Sequence, residues 1–265
     1  MSSSKLSLIL HLMMGLLSIS GASDRSVPKT TIYVDKSGSG NYSSVQEAID
    51  SIPDDNNQWI HILIKRGTYR LTWAPAALLV ADKVSFHRCG FHGIQDTLGD
   101  AQGRHYFEKC YISGAIDFIW GHGQSVYKTT ASTIGQDGYI TAQGRQGADD
   151  PSAFVFIRCW VKGEGHTYLG RAYRRYSRVL FYHTRMTEVV VPAGWSSWNY
   201  RGHEEDITFA EVRCTGEGAS KSGRVKWMKD LPSQEVQYFL SNDFISQDGW
   251  LKNQPRYIEI QTPRY

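Results

Sequence analysis

The segment Phe86-His87-Arg88-Cys89-Gly90-Phe91-His92-Gly93 returns as Phe107-Glu108-Lys109-Cys110-Tyr111-Ile112-Ser113-Gly114. It returns again as Phe156-Ile157-Arg158-Cys159-Trp160-Val161-Lys162-Gly163. Weaker copies begin at Tyr127, with Thr130 in the cysteine place, and at Phe181, with Thr184 in it. The Cys/Thr positions 89, 110, 130, 159 and 184 are therefore 21, 20, 29 and 25 residues apart. Short alternating strands that recur at such a period, separated by polar or glycine-rich turns, define a solenoid in which each unit buries its face on the next. The leucine spacing of leucine-rich repeats is absent, and so are the helix pairs of all-helical arrays. What remains is an all-β fold, a single-stranded right-handed parallel β-helix, with the Cys/Thr column pointing inward as a stacked ladder rather than a redox site.

The rest of the chain agrees with one large domain. It has 265 residues, 41% hydrophobic and 21% charged, with 25 glycines and 15 tyrosines but few long amphipathic runs, a composition that excludes a disordered chain and fits a turn-rich β architecture. Ser43-Ser44-Val45-Gln46-Glu47-Ala48-Ile49 reads as a capped short helix closing the first turn, and Pro232-Ser233-Gln234-Glu235 opens another near the far end. Four cysteines are too few for a disulfide scaffold. The seven histidines from His87 to His203 show no metal-ligand spacing, and neither a HExxH motif nor a serine elbow occurs, so no metal and no cofactor are expected.

Lys5 followed by an apolar run from Leu6 to Ile19 and by small residues Ser20, Gly21 and Ala22 has the form of a secretory signal. Residues 1–22 are expected to be removed, leaving a domain over 23–265 with no membrane span, secreted and extracellular. Removal takes one lysine and no acid, so the formal charge moves from +3 to +2. That weak basicity is compatible with an acidic polymer and gives no reason to expect a nucleic-acid partner. Asn41-Tyr42-Ser43 is a candidate glycosylation sequon in a Gly/Ser-rich turn.

The repeat also aligns two acids. Asp96 and Asp117 each follow their cysteine by seven residues, so neighbouring coils, about 4.8 Å apart, would set the two carboxylates side by side on one face. Two carboxylates so placed do not both ionise easily; one is pushed toward the protonated form and the other keeps its charge, which supplies an acid and a nucleophile.

Five motifs in order resemble those of plant pectinesterases (pectin methylesterases). They are Gly93-Ile94-Gln95-Asp96-Thr97-Leu98, Gly103-Arg104-His105-Tyr106-Phe107, Gly114-Ala115-Ile116-Asp117-Phe118-Ile119-Trp120-Gly121, Ile140-Thr141-Ala142-Gln143-Gly144-Arg145 and Tyr168-Leu169-Gly170-Arg171-Ala172-Tyr173. The resemblance extends from Tyr33 to Leu251. It implies hydrolysis of the methyl ester of polygalacturonate (pectin) in the cell wall, without cofactor, by a monomer. It also implies Asp117 as nucleophile, Asp96 as acid then base, Gln95 as an oxyanion donor, Arg171 as the partner that holds Asp117 ionised, and Trp120 and Tyr173 as sugar-stacking residues.

The chain departs from that pattern in one region. After Gly67-Thr68-Tyr69-Arg70 the family runs through roughly two further coils to a second oxyanion glutamine, whereas here the chain passes almost directly to Trp73-Ala74-Pro75, with Trp73 in the glutamine place. Trp offers a single N–H on a much larger body. The alternative expectation is therefore a catalytically impaired pectin-binding homologue. Tyr173 and Ala172 also replace a Trp and a Pro.

Overall fold

The computed structural model describes residues 10–12, 15–19, 30–53, 56, 59–69 and 75–254. Among these, strands pair in parallel coil upon coil, as the period requires. One sheet stacks Val84–His87, Arg104–Gly114, Gln124–Ile134, Ala153–Ile157, Arg178–Tyr182 and Thr208–Val212. A second stacks Ala77–Leu79, Leu98–Asp100, Ile119–Gly121, Gly138–Gln143, Thr167–Ala172 and Trp195–Ser196. Each coil crosses from the first to the second through a short face that begins after its cysteine, as in Gly90–His92 and Trp160–Glu164.

The repeated aromatic forms the spine of the core. Phe86 stacks on Phe107 at 5.2 Å between ring centres, Phe107 on Tyr127 at 4.7 Å, Tyr127 on Phe156 at 4.6 Å and Phe156 on Phe181 at 4.3 Å. Because each coil presents the same residue type at the same pleat, like stacks on like and register is fixed by side-chain packing as well as by the backbone ladder.

Beside that spine lies the thiol ladder. Cys89, Cys110 and Cys159 are buried and free, and the contact with Cys110, reinforced by burial, pushes the Cys89 thiol well above its ordinary pKa. An interior thiol so placed is inert. The rung between Cys110 and Cys159 is Thr129 rather than the expected Thr130. Thr129 is buried and its backbone N–H donates to Cys159 Sγ at 3.3 Å, whereas Thr130 pairs with Tyr111 and Trp160 on the outside. The register shifts between Glu108 and Tyr111 because this coil has one residue fewer at the bend.

That bend has an unusual backbone. Arg88, Lys109, Arg158, His183 and Arg213, each just before its rung, have φ between 49° and 56°. Side chains other than Gly, Asn and Asp pay roughly 1–2 kcal/mol for this left-handed conformation. The opposite bend holds Asp96 at φ 54° and Asp117 at φ 49°, where aspartate is among the better-tolerated residues.

The helix Val45–Asp50 begins as expected: the Ser44 hydroxyl accepts from the Glu47 N–H at 3.1 Å, and the Glu47 carboxylate accepts from the Ser44 N–H at 3.3 Å. The other end differs from expectation. Ser233–Leu240, Asp243–Ser246 and Trp250–Asn253 do not sit on the last coil as a terminal cap. They fold back along the flank, burying Phe239, Phe244, Ile245 and Trp250 against Tyr106, Val126, Val155, Leu180 and Ala210 of the first sheet.

The apolar run read as a signal sequence contains two short strands. Gly15–Ile19 lies antiparallel between Ile60–Ile64 and Val84–His87, and Leu10–Leu12 lies antiparallel to Gly67–Tyr69. Gly15–Ile19 joins two otherwise separate edges of the first sheet.

Candidate active site

The turns that carry the two aspartates lie on adjacent coils. Gln95 bridges to Ile116 of the next coil, and the Asp96 N–H donates to the Ile116 carbonyl at 3.0 Å, which brings the turn carrying Asp96 onto the turn carrying Asp117. Both residues have left-handed φ, and the charge of Asp117 is felt at the Asp96 carboxyl. Asp117 is buried, Asp96 half-buried and Gln95 exposed.

Arg171, two coils on in the strand Thr167–Ala172, reaches Asp117 from 54 residues away. Its Nε donates to Oδ1 at 2.8 Å and its Nη2 to Oδ2 at 2.5 Å. The guanidinium is held flat between two rings, 3.7 Å from the centre of Trp198 and 4.4 Å from that of Tyr139. A fork bonded along its edge and packed on both faces has little freedom to turn, so the carboxylate it grips is fixed as well.

The electrostatics of the two carboxyls share a direction and, beyond burial, differ in cause, where one raised and one kept charged were expected. Burial raises the Asp117 pKa; the hydrogen bonds and charge of Arg171 oppose this without cancelling it. Asp96 is also raised, first by burial and then by the negative charge of Asp117, with only a distant lowering from Arg171. Asp117 therefore has a bonded cation favouring its charged form. Asp96 has none at bonding distance and faces a like charge.

The remaining expected residues are nearby. The Trp120 indole N–H donates to the Asp96 carbonyl at 3.3 Å and the ring lies on Gly99, where a β-carbon would approach Trp120 Cζ2 to 3.0 Å. Trp120 thus braces the turn of Asp96 while leaving part of its surface accessible. Tyr173 is exposed and stacks on Trp198 at 6.2 Å. Trp73 lies outside the described residues. Two aromatic members of the site went unnoticed in the sequence: Trp198, in a short 3-10 turn, and Tyr139, stacked on Tyr168 at 5.1 Å. Tyr139 and Tyr168 occupy register-paired positions of adjacent strands, a relation the repeat spacing could have revealed. Nothing in its local sequence marks Trp198.

Gln143 and Arg145, both within a recognised motif, are structural. Gln143 accepts from the backbone N–H groups of Arg145 and Arg178, and Arg145 donates to the carbonyls of Ala148, Asp150 and Tyr176. Among the described residues, no three His, Cys, Asp or Glu side chains are grouped so as to hold a metal ion, and no helix is long and apolar enough to cross a membrane.

The strands form a parallel β-helix that sets a carboxylate pair beside exposed aromatic side chains. Within it, residues 71–248 match the pectinesterase family model. Two relatives from Arabidopsis thaliana, probable pectinesterase 55 and probable pectinesterase 29, are 38% and 37% identical, each over 84% of this chain and over 91% and 89% of their own lengths. The carrot pectin methylesterase structure is similar with a TM-score of 0.69 at 23% identity, over 89% of this chain and 99% of that one. The chain belongs to the pectinesterase family. The alignment to probable pectinesterase 55 spans 299 positions, more than the 265 residues present here, so the relative carries segments that this chain lacks.

Proposed function

We propose that the chain hydrolyses methyl esters of pectin through a covalent intermediate on Asp117, and that the observation carrying this reading is the Arg171-clamped Asp117 set beside the unclamped Asp96. The Asp117 carboxylate attacks the ester carbonyl carbon, and the resulting oxyanion is met by Gln95. Asp96 gives its proton to the departing methoxide, which leaves as methanol. The acyl-enzyme is then opened by water, whose proton returns to Asp96, freeing the galacturonate carboxyl and Asp117. The groove aromatics Trp120, Tyr173 and Trp198 offer flat faces to sugar rings.

The monomer acts outside the cell, in the wall. Removal of residues 1–22 would take the Gly15–Ile19 strand with it, leaving Ile60–Ile64 and Val84–His87 to close without that insert. Sequencing the N-terminus of the secreted protein tests this; a mature chain that keeps residue 15 would overturn the secretory reading.

The test of function is methanol release from highly methylated pectin by the purified chain and by Asp117→Asn. Turnover by the parent that falls at least ~10³-fold in the variant, with the fold retained, supports the assignment. The shortness of the chain favours a second reading, a pectin-binding homologue with little turnover. Folded parent that binds pectin but releases no methanol, with Trp73→Gln equally silent, would establish that reading instead.

A further inference from the structure

The bend opposite the aspartates carries a column of basic residues. The left-handed position before the inward rung is Arg88, Lys109, Arg158, His183 and Arg213, and the coil between Lys109 and Arg158 lacks this bend residue. The backbone ties these bends together: the N–H of Arg88 donates to Glu108, that of Arg158 to Tyr182 and that of His183 to Val212, at 2.8 to 2.9 Å. The strand positions on either side add Lys128 and Arg185. All of these side chains are exposed. At the same positions the acid is Glu108, which is bonded to His87 at 3.1 Å.

The backbone of the bend does not itself call for cations. Glycine or asparagine meets the backbone requirement at least as well, and the side chains leave the bend outward, away from the core. The ridge also has the features of a sugar surface. Trp160 is exposed between rungs, with Lys162 4.3 Å and Arg185 5.9 Å from its ring. A groove of about 370 Å³, lined among others by Tyr106, Lys128, Arg158, Tyr182 and Asn242, opens alongside.

We propose that this ridge is a second docking surface, separate from the catalytic groove, for a stretch of de-esterified polyuronate. The proposal rests on the pectinesterase reading, because the reaction itself creates a row of free carboxylates, one per sugar. With Lys128 in the coil that lacks the bend residue and Arg185 in the His183 coil, each coil from Arg88 to Arg213 presents an exposed cation, and coils about 4.8 Å apart match a polymer with one charge per extended sugar residue. They match less well a nucleic acid strand, with a charge every ~3.4 Å. Trp160 and the flanking tyrosines supply faces for the sugar rings between the charges. A polymer held on the ridge would keep the groove, on the other side of a strand-wide face, close to the chain just processed.

The test uses Lys109→Asn/Arg158→Asn/Arg213→Asn, since asparagine tolerates the left-handed bend. The control, Lys36→Asn/Arg66→Asn/Lys226→Asn, removes the same charge elsewhere on the surface. Binding is measured to polygalacturonate, which holds no ester, and turnover to a short methyl-esterified oligouronide that fills only the groove. The ridge variant is expected to bind polygalacturonate at least tenfold more weakly than the parent, the control within twofold, and both to release methanol at parental rates. Equal loss in the two variants would reduce the effect to net charge and overturn the proposal; so would undiminished binding by the ridge variant, or duplex DNA binding as tight as polygalacturonate. A parent that binds polygalacturonate through the ridge yet releases no methanol leaves this surface standing and removes the esterase reading instead.

Discussion

Arg171 grips both oxygens of Asp117 along one edge of its guanidinium, while Trp198 covers a face of the same group at 3.7 Å. The carboxylate is thereby held in one orientation by a cation that is itself unable to rotate. Lysine would keep the charge and lose both the fork and the stacked plane.

Arg171→Lys is accordingly expected to lower kcat by at least about tenfold while changing KM little. With a weaker partner, burial acts on Asp117 with less opposition, and the carboxyl protonates at higher pH. The acidic limb of the pH profile should move upward, by up to the 1–3 units typical of a lost close charge. A limb that stays in place would separate Arg171 from the ionisation of Asp117.

Asp96→Asn is expected to reduce methanol release by about 10²–10⁴-fold, the usual contribution of a general acid or base. It should also alter stability in a defined direction. The folded pKa of Asp96 lies above its ordinary value, so the folded state binds the proton more tightly than the unfolded one and the parent loses stability as pH rises through that interval. The asparagine variant has no proton to lose. Its thermal midpoint should exceed the parent's at neutral pH, with the difference closing below about pH 4.

His105 offers the opposite dependence. It is fully buried, with Nδ1 2.6 Å from Asp100 Oδ1 and Nε2 2.7 Å from the Ala81 carbonyl, while the Tyr127 hydroxyl donates to the other Asp100 oxygen. Two acceptors on the two ring nitrogens suit the charged imidazolium, which donates from both. Burial lowers the pKa, but the charge and hydrogen bond of Asp100 and the Ala81 carbonyl outweigh it, and the net direction is up. The stability so gained is complete below the ordinary pKa near 6.5 and is lost as pH rises through the folded value. Urea midpoints of the parent should therefore decline on the alkaline side, and His105→Gln should flatten that decline at a lower overall stability.

Phe156→Ala removes a ring that stacks on Tyr127 and on Phe181. A cost of about 3–5 kcal/mol is expected from chemical denaturation, as for other buried aromatic truncations. Because every coil rests on its neighbours, the loss should be felt on both sides of the gap. A cost below about 1 kcal/mol would mean that the stack contributes contact without cohesion.

The sequence revealed what repeats. Phe86, Phe107, Tyr127, Phe156 and Phe181 carry the period in residue type alone, and two aspartates at equal offset could be set side by side from counting. The exchange of Thr129 for Thr130 was hidden because one coil omits its bend residue, and two adjacent threonines give no clue to which faces inward. The Arg171–Asp117 contact spans 54 residues and became visible only through family resemblance. The docking of the C-terminal helices on the flank was invisible for another reason: Val236 and Phe239 make one side of the helix apolar, and that pattern is the same whether it covers the end or the flank of a solenoid.

In the chain that retains residues 1–22, the strand Gly15–Ile19 runs against both of its neighbours. In a stack where every later coil points the same way, it acts like a grain boundary in a crystal: two ordered regions meet there, and neither dictates the orientation of the other. From Val84 onward the coils are phased by contacts among themselves, so the lattice that carries Asp96, Asp117 and Arg171 begins below the boundary. Substitutions or losses above it can change how the end of the solenoid is sealed without moving the carboxylates relative to each other.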